Sequence, residues 1–165
     1  MPGPQQLILG ESSCTLDERF RLTLPPALVD LLALSGSRCV MVKERAGCLS
    51  LWNADVWEAK VSPRLRLVQQ KIEADAFGED RMSQVLLLGR LLSTRWKDIV
   101  LKDRNRLLIP EGFREFLGVE RDPPHNEVVV IGAAVSLEIW KPAAWLKYLE
   151  ARMPKFRRLF YELSR

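Results

Sequence analysis

The sequence has few residues capable of metal or covalent chemistry. Its 165 residues include three cysteines, Cys14, Cys39 and Cys48, and one histidine, His125. An odd number of cysteines with no C-x-x-C pair favours reduced thiols over a disulfide framework or a thiolate zinc site. His125 lies in a proline-rich stretch with no nucleophile motif beside it, so no hydrolytic triad is visible. We therefore expect no catalytic residue, no metal, no cofactor and no enzymatic activity.

The chain also lacks a Walker phosphate loop, a glycine-rich dinucleotide turn and a long apolar run. Its longest apolar stretch, residues 85–92, is interrupted by Gly89 and Arg90 and is too short to cross a bilayer. The first ten residues show no basic region followed by an apolar segment, so no signal peptide is visible. These absences predict a cytoplasmic protein with no membrane span and no small-molecule ligand.

The composition is that of an ordinary globular protein. Hydrophobic residues make up 47% and charged residues 28% of the chain, and 25 basic against 21 acidic residues give a net charge of +4. The basic surplus is local, because residues 141–165 contain seven Lys or Arg and only two Glu. This charge permits a nucleic acid or an anionic surface as partner without requiring either.

The sequence repeats itself. The segment RLTLP at 21–25 returns as RLLIP at 106–110, 85 positions later. The segment LSLW at 49–52 corresponds to LEIW at 137–140, and Trp57 to Trp145, at an offset of 88. The three extra residues fall around Pro123 and Pro124, where a surface loop is expected. Two tryptophans, a proline and an arginine recurring in one order indicate a duplicated unit.

Each copy has the pattern of a β–turn–β–α–β–β unit. Arginines alternate with apolar residues before each proline, as in a half-buried strand, and the proline then ends the strand and can begin a helix. Gly36 and Gly118 suit the ends of these helices. A unit of about fifty residues is too small to bury a core alone. We therefore expect an intramolecular pseudo-dimer, α+β with a mainly β core, in which Trp52 and Trp140 lie in or near the shared core.

The remaining segments have helical patterns. Apolar residues at 65, 68, 72 and 76 predict one helix and residues 81–92 a second, joined by a turn at 78–80. A stripe from Trp145 to Leu163 predicts a helical tail, which Pro154 divides in two. The predicted organisation is a first repeat at 10–57, a helical linker hairpin at 58–97, a second repeat at 98–146 and a basic amphipathic tail at 147–165.

These motifs together resemble the MraZ family. Its members carry two swapped-hairpin repeats of the AbrB type, each built on a D-x-x-G-R-h-x-h-P pattern and a final strand ending in Trp. Residues 17–25 occupy the first pattern and residues 106–110 the second, and the likeness covers about residues 10–148. It implies two swapped-hairpin β-barrel repeats in a ring-shaped homo-oligomer. It also implies a nucleoid-associated, cytoplasmic transcriptional regulator that binds double-stranded DNA at repeated promoter boxes of the cell-division and cell-wall gene cluster.

The resemblance also implies a DNA-binding site. By position, Arg19 and Arg21 are the main DNA-facing pair, and Arg104 and Arg106, with Lys102, are their counterparts in the second repeat. The alternative is that Asp17 with Arg21, and Asp103 with Arg106, form local salt bridges that hold the turns. A second alternative for the whole protein is an oligomeric interaction scaffold or antitoxin-like protein that has lost specific DNA binding.

Three features of the sequence bear on that choice. The family glycine before the arginine is Phe20 in one copy and Asn105 in the other. Since Asn tolerates a positive φ and Phe does not, we expect the first hairpin turn to differ from the second. The tryptophans at 52, 57, 140 and 145 fit core packing better than base stacking. For the tail we favour a helix packed by its apolar stripe over a helix that binds DNA or an anionic membrane.

Overall fold

In the computed structural model, the described part of the chain comprises residues 6–32, 38–119 and 126–165. The first half contains β1 (Glu11–Thr15), β2 (Arg21–Thr23), α1 (Pro26–Leu32), β3 (Arg38–Arg45), β4 (Cys48–Asn53) and α2 (Ala54–Glu73). The second half contains α3 (Glu79–Arg95), β5 (Trp96–Val100), β6 (Arg106–Leu108), α4 (Glu111–Leu117), β7 (Glu127–Gly132), β8 (Leu137–Trp140), α5 (Pro142–Arg152) and α6 (Phe156–Leu163). Gly36, His125 and the Pro123–Pro124 pair lie outside the described residues.

The fold is α+β, as the sequence predicts, and its strands are antiparallel. Six strands form one sheet in the order β1-β7-β8-β4-β3-β5, and β2 and β6 form a separate two-stranded ribbon. The counterparts of β1, β3 and β4 in the second half are β5, β7 and β8. When each strand is exchanged for its counterpart, the same strand order results, counted from the opposite edge of the sheet. Each edge strand pairs with the other half of the chain, β1 with β7 and β5 with β3. The two halves therefore share one sheet.

The main core lies on one face of this sheet and receives side chains from both halves. Successive residues of a strand point to opposite faces, so alternate residues enter the same cluster. The fully buried members include Leu22, Leu24, Leu49 and Leu51 from the first half and Leu107, Ile109, Leu137 and Ile139 from the second. Truncating any of these leucines to Ala would cost about 2–5 kcal/mol, because the cavity adds to the lost burial.

Trp52 and Trp140 are buried outside the shared core. Trp52 packs with Val40, Val42 and Trp57 beneath α2, and Trp140 packs with Cys48, Val129 and Ile131 beneath α5. Val40 and Val42 alternate along β3 with Cys39 and Met41, which belong to the main core. The tryptophans thus cover the sheet's opposite face. Of the expectation that they lie in or near the shared core, the position within that core is wrong, since they pack in two separate clusters.

The linker helices are longer than the sequence patterns suggest. The helix α2 begins directly after β4, where the Asn53 side chain accepts hydrogen bonds from the Asp55 and Val56 amides. It then continues through Pro63, which precedes the segment at 65–76 whose apolar spacing predicts the helix. At the other end, β5 begins at Trp96 directly after α3. The β–turn–β–α–β–β pattern predicts a strand before the turn of the second repeat, and β5 occupies that place.

The tail has the two helices that Pro154 predicts, α5 and α6, with a 3-10 turn between them. Trp145 and Tyr148 of α5 pack against Trp140. The rest of the stripe does not pack as expected, since Met153, Phe156, Phe160 and Leu163 are all exposed. The favoured prediction of a packed tail is therefore wrong beyond α5. Over the described ranges, no helix has the length and apolar character needed to cross a bilayer.

Candidate functional site

The arginines of the two repeated motifs lie on one face of the ribbon formed by β2 and β6. Arg21 pairs with Leu108, Leu22 with Leu107, and Thr23 with Arg106. Directly opposite residues of an antiparallel pair share a face. Because Leu22 and Leu107 are buried in the core, Arg21 and Arg106 lie on the outer face. The ribbon thus places one arginine from each half on the same surface.

The turns that lead into the ribbon have the same backbone in both halves. Phe20 has a φ of 60° and Asn105 a φ of 59°, both left-handed. The Ile109 amide donates to the Phe20 carbonyl at 3.0 Å, and the Leu24 amide donates to the Asn105 carbonyl at the same distance. The expectation that the first turn must differ is wrong. The ribbon hydrogen bonds impose the left-handed conformation although a bulky side chain disfavours it.

A contact with Arg114 accompanies the unfavourable conformation of Phe20. The Arg114 guanidinium carbon lies 4.2 Å from the centre of the Phe20 ring, within cation–π range. The Arg114 Nε also donates to the Ile109 carbonyl at 2.7 Å, so the side chain joins α4 to the ribbon. At the matching place in the other half, α1 carries Val29. Arg114 therefore supports only the first turn in this way.

Asp17 organises the first motif. Its carboxylate accepts the Arg19 and Arg21 amides, each at 2.9 Å, and the Arg21 Nε at 2.8 Å. Desolvation by burial raises the pKa of Asp17, but these hydrogen bonds from Arg21 and Arg19, together with the Arg21 charge, outweigh it and lower the pKa overall. The ion pair between Asp17 and Arg21, considered above as an alternative to DNA contact, is present in the structure.

The second motif lacks such a carboxylate. Lys102 stands in the place of Asp17. The Lys102 amide donates a hydrogen bond to the Arg106 carbonyl at 2.7 Å, and the Asp17 amide donates the equivalent bond to the Arg21 carbonyl at 3.0 Å. Among the described residues, Asp103 is exposed and forms no ion pair with Arg106. The Arg106 Nε is buried without a hydrogen-bond partner there. The proposed salt bridge of the second motif is therefore absent from the described structure, and the buried Arg106 Nε has no acceptor there.

A cleft of about 1000 Å³ runs along this ribbon. Six of its lining residues are basic, namely Arg19, Arg21, Lys97, Lys102, Arg106 and Arg114. Three are acidic, namely Glu18, Asp98 and Glu111. The cleft thus brings together four of the five residues that the sequence analysis assigned to DNA binding. An anionic ligand would find a net positive charge here.

The fifth assigned residue, Arg104, lies in a 3-10 turn, and its side chain falls outside the described atoms. Arg19 and Asn105 are also in turns, so the strands are shorter than the alternating sequence pattern predicts. Sequence reasoning missed two basic residues of the cleft, Lys97 and Arg114. Lys97 belongs to β5, a strand that the repeat pattern predicts without residue bounds. Arg114 gave no signal beyond a positive charge in a predicted helix.

The tryptophans lie away from this cleft and serve packing. The Trp52 Nε1 donates to the Ser50 hydroxyl at 2.9 Å, and the Trp140 Nε1 donates to the Glu138 carboxylate at 2.9 Å. Desolvation raises the pKa of Glu138, and the nearby Glu44 charge adds to that effect, whereas the Trp140 hydrogen bond and Arg45 oppose it. With their ring nitrogens bound and their rings buried, Trp52 and Trp140 present no platform for base stacking.

Within the described ranges, no three His, Cys, Asp or Glu side chains cluster as they would to hold a metal ion. Burial raises the pKa of all three cysteine thiols, that of Cys39 to about 12, with the Asp98 charge adding to the effect there. The Cys39 and Cys48 side chains are buried and the Cys14 side chain is half-buried. Such thiols are poor nucleophiles at neutral pH.

Comparison of the sequence with known proteins identifies its family. The family described as "MraZ protein, putative antitoxin-like" matches residues 7–79 and 98–159. A "Transcriptional regulator MraZ" of Methylobacillus flagellatus is 32% identical over 146 residues, covering 87% of each chain. Proteins of the same name are 28% identical in Clostridium beijerinckii, covering 89% of this chain and 90% of the relative, and 26% identical in Heliobacterium modesticaldum, covering 95% and 96%. Since the family match spans both halves of the sequence, the chain belongs to the MraZ family.

Proposed function

We propose that this protein is a transcriptional regulator that binds double-stranded DNA through the outer face of the β2–β6 ribbon. The relatives named above as transcriptional regulators support the role. The observation that carries the proposal is the position of Arg106 on the outer face of the ribbon, in a cleft where six basic side chains outnumber three acidic ones. Arg106 contributes most, because it forms no ion pair within the described structure, whereas the Asp17 carboxylate engages Arg21.

The chemistry of these side chains suits a nucleic acid. A guanidinium offers paired N–H donors that match a phosphate, or the O6 and N7 of guanine. The major groove admits a two-stranded ribbon, so Arg106 can reach either target. Asp17 orients Arg21 and offsets its charge. We therefore assign Arg21 mainly to positioning the turn, and Arg19, Lys102, Arg104 and Arg106 to contact with DNA.

We further infer that the two halves form a swapped-hairpin pseudo-dimer and that the protein acts as a homo-oligomer, with a ring as the favoured form. The strand order supports the first inference, because each edge strand pairs with the other half of the chain. The small size of one ribbon supports the second, since its strands have only three residues each. Several such ribbons on one particle would bind repeated DNA boxes through their effective concentration.

The test is a titration of fluorescent duplex DNA, taken from the region directly upstream of the protein's own coding sequence, at several salt concentrations. We expect Arg106→Ala to weaken binding at least tenfold and to lower the slope of log affinity against log salt by about one. Arg19→Ala should have a similar but smaller effect, because Arg19 is exposed. A shuffled duplex of the same composition measures the non-specific part.

The matched control is Arg66→Ala, an exposed arginine on α2 outside the cleft. We expect wild-type affinity and an unchanged salt slope for this variant. Circular dichroism and thermal melting establish that each variant is folded. Equal affinity of folded Arg106→Ala, Arg19→Ala and wild-type protein for the promoter duplex would refute the ribbon as the DNA-binding surface.

A scaffold or antitoxin-like protein without specific DNA binding is the second candidate. Asp17 favours it, because its carboxylate occupies Arg21, and so do the exposed apolar faces of α3 and α6. This candidate predicts no preference for the promoter duplex over the shuffled duplex, together with stable capture of one protein partner from the parent cell. Promoter preference that depends on Arg106 would exclude it.

A further inference from the structure

The end of the tail is an exposed helix that the rest of the described chain does not cover. The tail is joined to the sheet through α5, whose Trp145 and Tyr148 rings lie 5.1 Å and 5.0 Å from the Trp140 ring. Beyond that contact, every residue at 151–165 is exposed. The helix α6 is therefore accessible to a binding partner along its whole length.

One side of α6 is apolar. The four apolar residues of that side recur at the spacing i, i+3, i+4 and i+7 and are each more than half exposed, namely Phe156, Leu159, Phe160 and Leu163. The Phe156 and Phe160 ring centres are 5.7 Å apart, so the two rings form one patch. A contiguous exposed apolar patch usually marks a binding surface. We call these four residues the tail face.

Basic side chains lie on both sides of the tail face. With about 3.6 residues per turn, Lys155 and Arg157 fall on its two flanks, and Arg158 falls on the opposite side of the helix. Residues 151–165 contain five Lys or Arg and one Glu. That one carboxylate, Glu162, accepts the Arg158 Nε at 3.1 Å. Within the described structure, Lys155 and Arg157 form no ion pair, so both flanks retain their positive charge for a partner.

We propose that the tail face binds the surface of an anionic lipid bilayer. A helix with an apolar face and basic flanks lies in the plane of the bilayer surface, with its apolar side chains below the headgroups. At about 12 Å, α6 is much shorter than the apolar core of a bilayer, which is about 30 Å thick, so it lies along the surface. Lys155 and Arg157 then reach the lipid phosphates from the two flanks.

An anionic bilayer matches this surface better than DNA does. DNA offers phosphates to the basic flanks but no apolar surface for the Phe156 and Phe160 rings. A bilayer offers both from the same side. It is also flat on the scale of the helix, and a flat surface can contact α6 along its whole length because residues 151–165 are all exposed.

The tail and the ribbon lie on opposite faces of the six-stranded sheet. Leu22 and Leu107 attach the ribbon to the main core on one face. Trp145 attaches α5 to the Trp140 cluster on the other face. Bilayer binding therefore leaves the ribbon free to bind DNA. The inference goes beyond the proposed function, since neither contact requires the other.

The test is flotation of the full-length protein with lipid vesicles. We expect binding to vesicles of equal parts phosphatidylglycerol and phosphatidylcholine to exceed binding to phosphatidylcholine alone by about tenfold, and to weaken as salt rises. Replacing the two flanking cations together, Lys155→Gln with Arg157→Gln, should weaken binding to the mixed vesicles about tenfold and leave binding to phosphatidylcholine unchanged.

Two neighbouring residues of α6 supply a matched pair of variants. Phe160 belongs to the tail face, whereas Tyr161 lies between Arg157 and Arg158 around the helix, and their exposures are 65% and 66%. Both Phe160→Asp and Tyr161→Asp add one negative charge to the same helix. We expect Phe160→Asp to weaken vesicle binding about tenfold and Tyr161→Asp to weaken it less than about threefold, because only Phe160 inserts among the lipids.

The variants are expected to fold, because all these positions are exposed, and circular dichroism checks this. Phe160→Asp should keep wild-type affinity for promoter DNA, and Arg106→Ala should keep wild-type binding to vesicles. Failure of the proposed function and failure of this inference are thereby distinguished.

Four results would overturn the inference. The first is a wild-type protein that does not float with the mixed vesicles. The second is equal flotation of Phe160→Asp and Tyr161→Asp, which would reduce the contact to adhesion by charge alone. The third is a loss of DNA affinity in Phe160→Asp, which would place the tail in the DNA interface. The fourth is a change in the mass of lipid-free Phe160→Asp by light scattering, which would show that the tail face contacts protein.

Discussion

The two motifs at 17–25 and 102–110 have nearly the same backbone and different chemistry. Both contain a left-handed residue before the arginine, a buried leucine after it and one amide-to-carbonyl bond to the opposite motif. In the first, a carboxylate holds the arginine. In the second, a lysine replaces the carboxylate, and the arginine Nε has no hydrogen-bond partner among the described residues. Backbone pairing and core burial therefore determine the shape of the ribbon. The first side chain of each motif, Asp17 or Lys102, determines whether a carboxylate is available to the arginine of that motif.

The largest expected effect comes from replacing the buried leucine that both motifs contain. Leu22→Ala and Leu107→Ala should each lower the free energy of unfolding by about 2–5 kcal/mol, because both side chains are fully buried in one core. The two losses should agree within about 1 kcal/mol, since the pockets are equivalent by strand pairing. Urea denaturation measures both. A large loss for one variant and none for the other would show that the motifs are not structurally equivalent.

Exchanging the first residues of the two motifs, Asp17 and Lys102, tests the difference in charge between the motifs. Asp17→Lys should lower the free energy of unfolding by about 1–2 kcal/mol, because two amides and the Arg21 guanidinium lose their acceptor. Lys102→Asp should raise it by about 1 kcal/mol, since a carboxylate there can accept the unpartnered Arg106 Nε. The same Lys102→Asp variant should bind DNA several-fold more weakly, because a cation is lost and Arg106 becomes engaged.

Lys71→Asp provides the control for the charge change, because Lys71 is exposed on α2 away from the ribbon. Both its stability and its DNA affinity should remain near wild type. Equal stability of Lys102→Asp and wild-type protein would mean that position 102 cannot reach Arg106 as Asp17 reaches Arg21. Unchanged DNA affinity of Lys102→Asp would remove Arg106 from the interface.

The third comparison concerns the left-handed residues. Phe20 carries a side chain unsuited to its φ, and Arg114 lies against its ring, whereas Asn105 tolerates its φ and has Val29 in the matching place. A double-mutant cycle of Phe20→Asn with Arg114→Ala should give a coupling of about 0.5–1 kcal/mol. The matched cycle of Asn105→Ala with Val29→Ala should give none. A coupling near zero in the first cycle would show that the ring contact does not stabilise the turn.

Much of the fold could be predicted from the sequence, because the residues that recur in the two halves are buried ones. Leu22 and Leu107, or Trp52 and Trp140, recur at fixed offsets because the same pockets recur. The strand β5 was predicted only as the first strand of the second repeat, without bounds, because it follows α3 directly and has no turn before it. The left-handed φ of Phe20 was also not predicted, since bonds from the distant motif impose it against a local preference.

The candidate site was predictable only in part. The arginine positions follow from the repeated motif, and the structure places Arg21 and Arg106 on one face. That Asp17 pairs with Arg21 while Asp103 leaves Arg106 unpaired depends on a one-residue difference in spacing, which changes the direction of the side chain at the turn. Arg114 reaches the cleft from a different helix, so no pattern along the sequence signals it.

The smallest effect is a pH dependence confined to the first motif. The pKa of Asp17 is lowered in the folded protein, so its contribution to stability is present above the ordinary aspartate pKa of about 3.9 and is lost as pH falls through the lower folded value. The variant Asp17→Asn should therefore be about 0.2–1 kcal/mol less stable than wild type at pH 7, because the pair with Arg21 is exposed and screened. This difference should shrink below pH about 4. Urea denaturation at pH 7, 5, 4 and 3 measures it, with Asp103→Asn as a control expected to show no difference at pH 7, and a wild-type advantage that persists unchanged at pH 3 would exclude the Asp17 charge as its source.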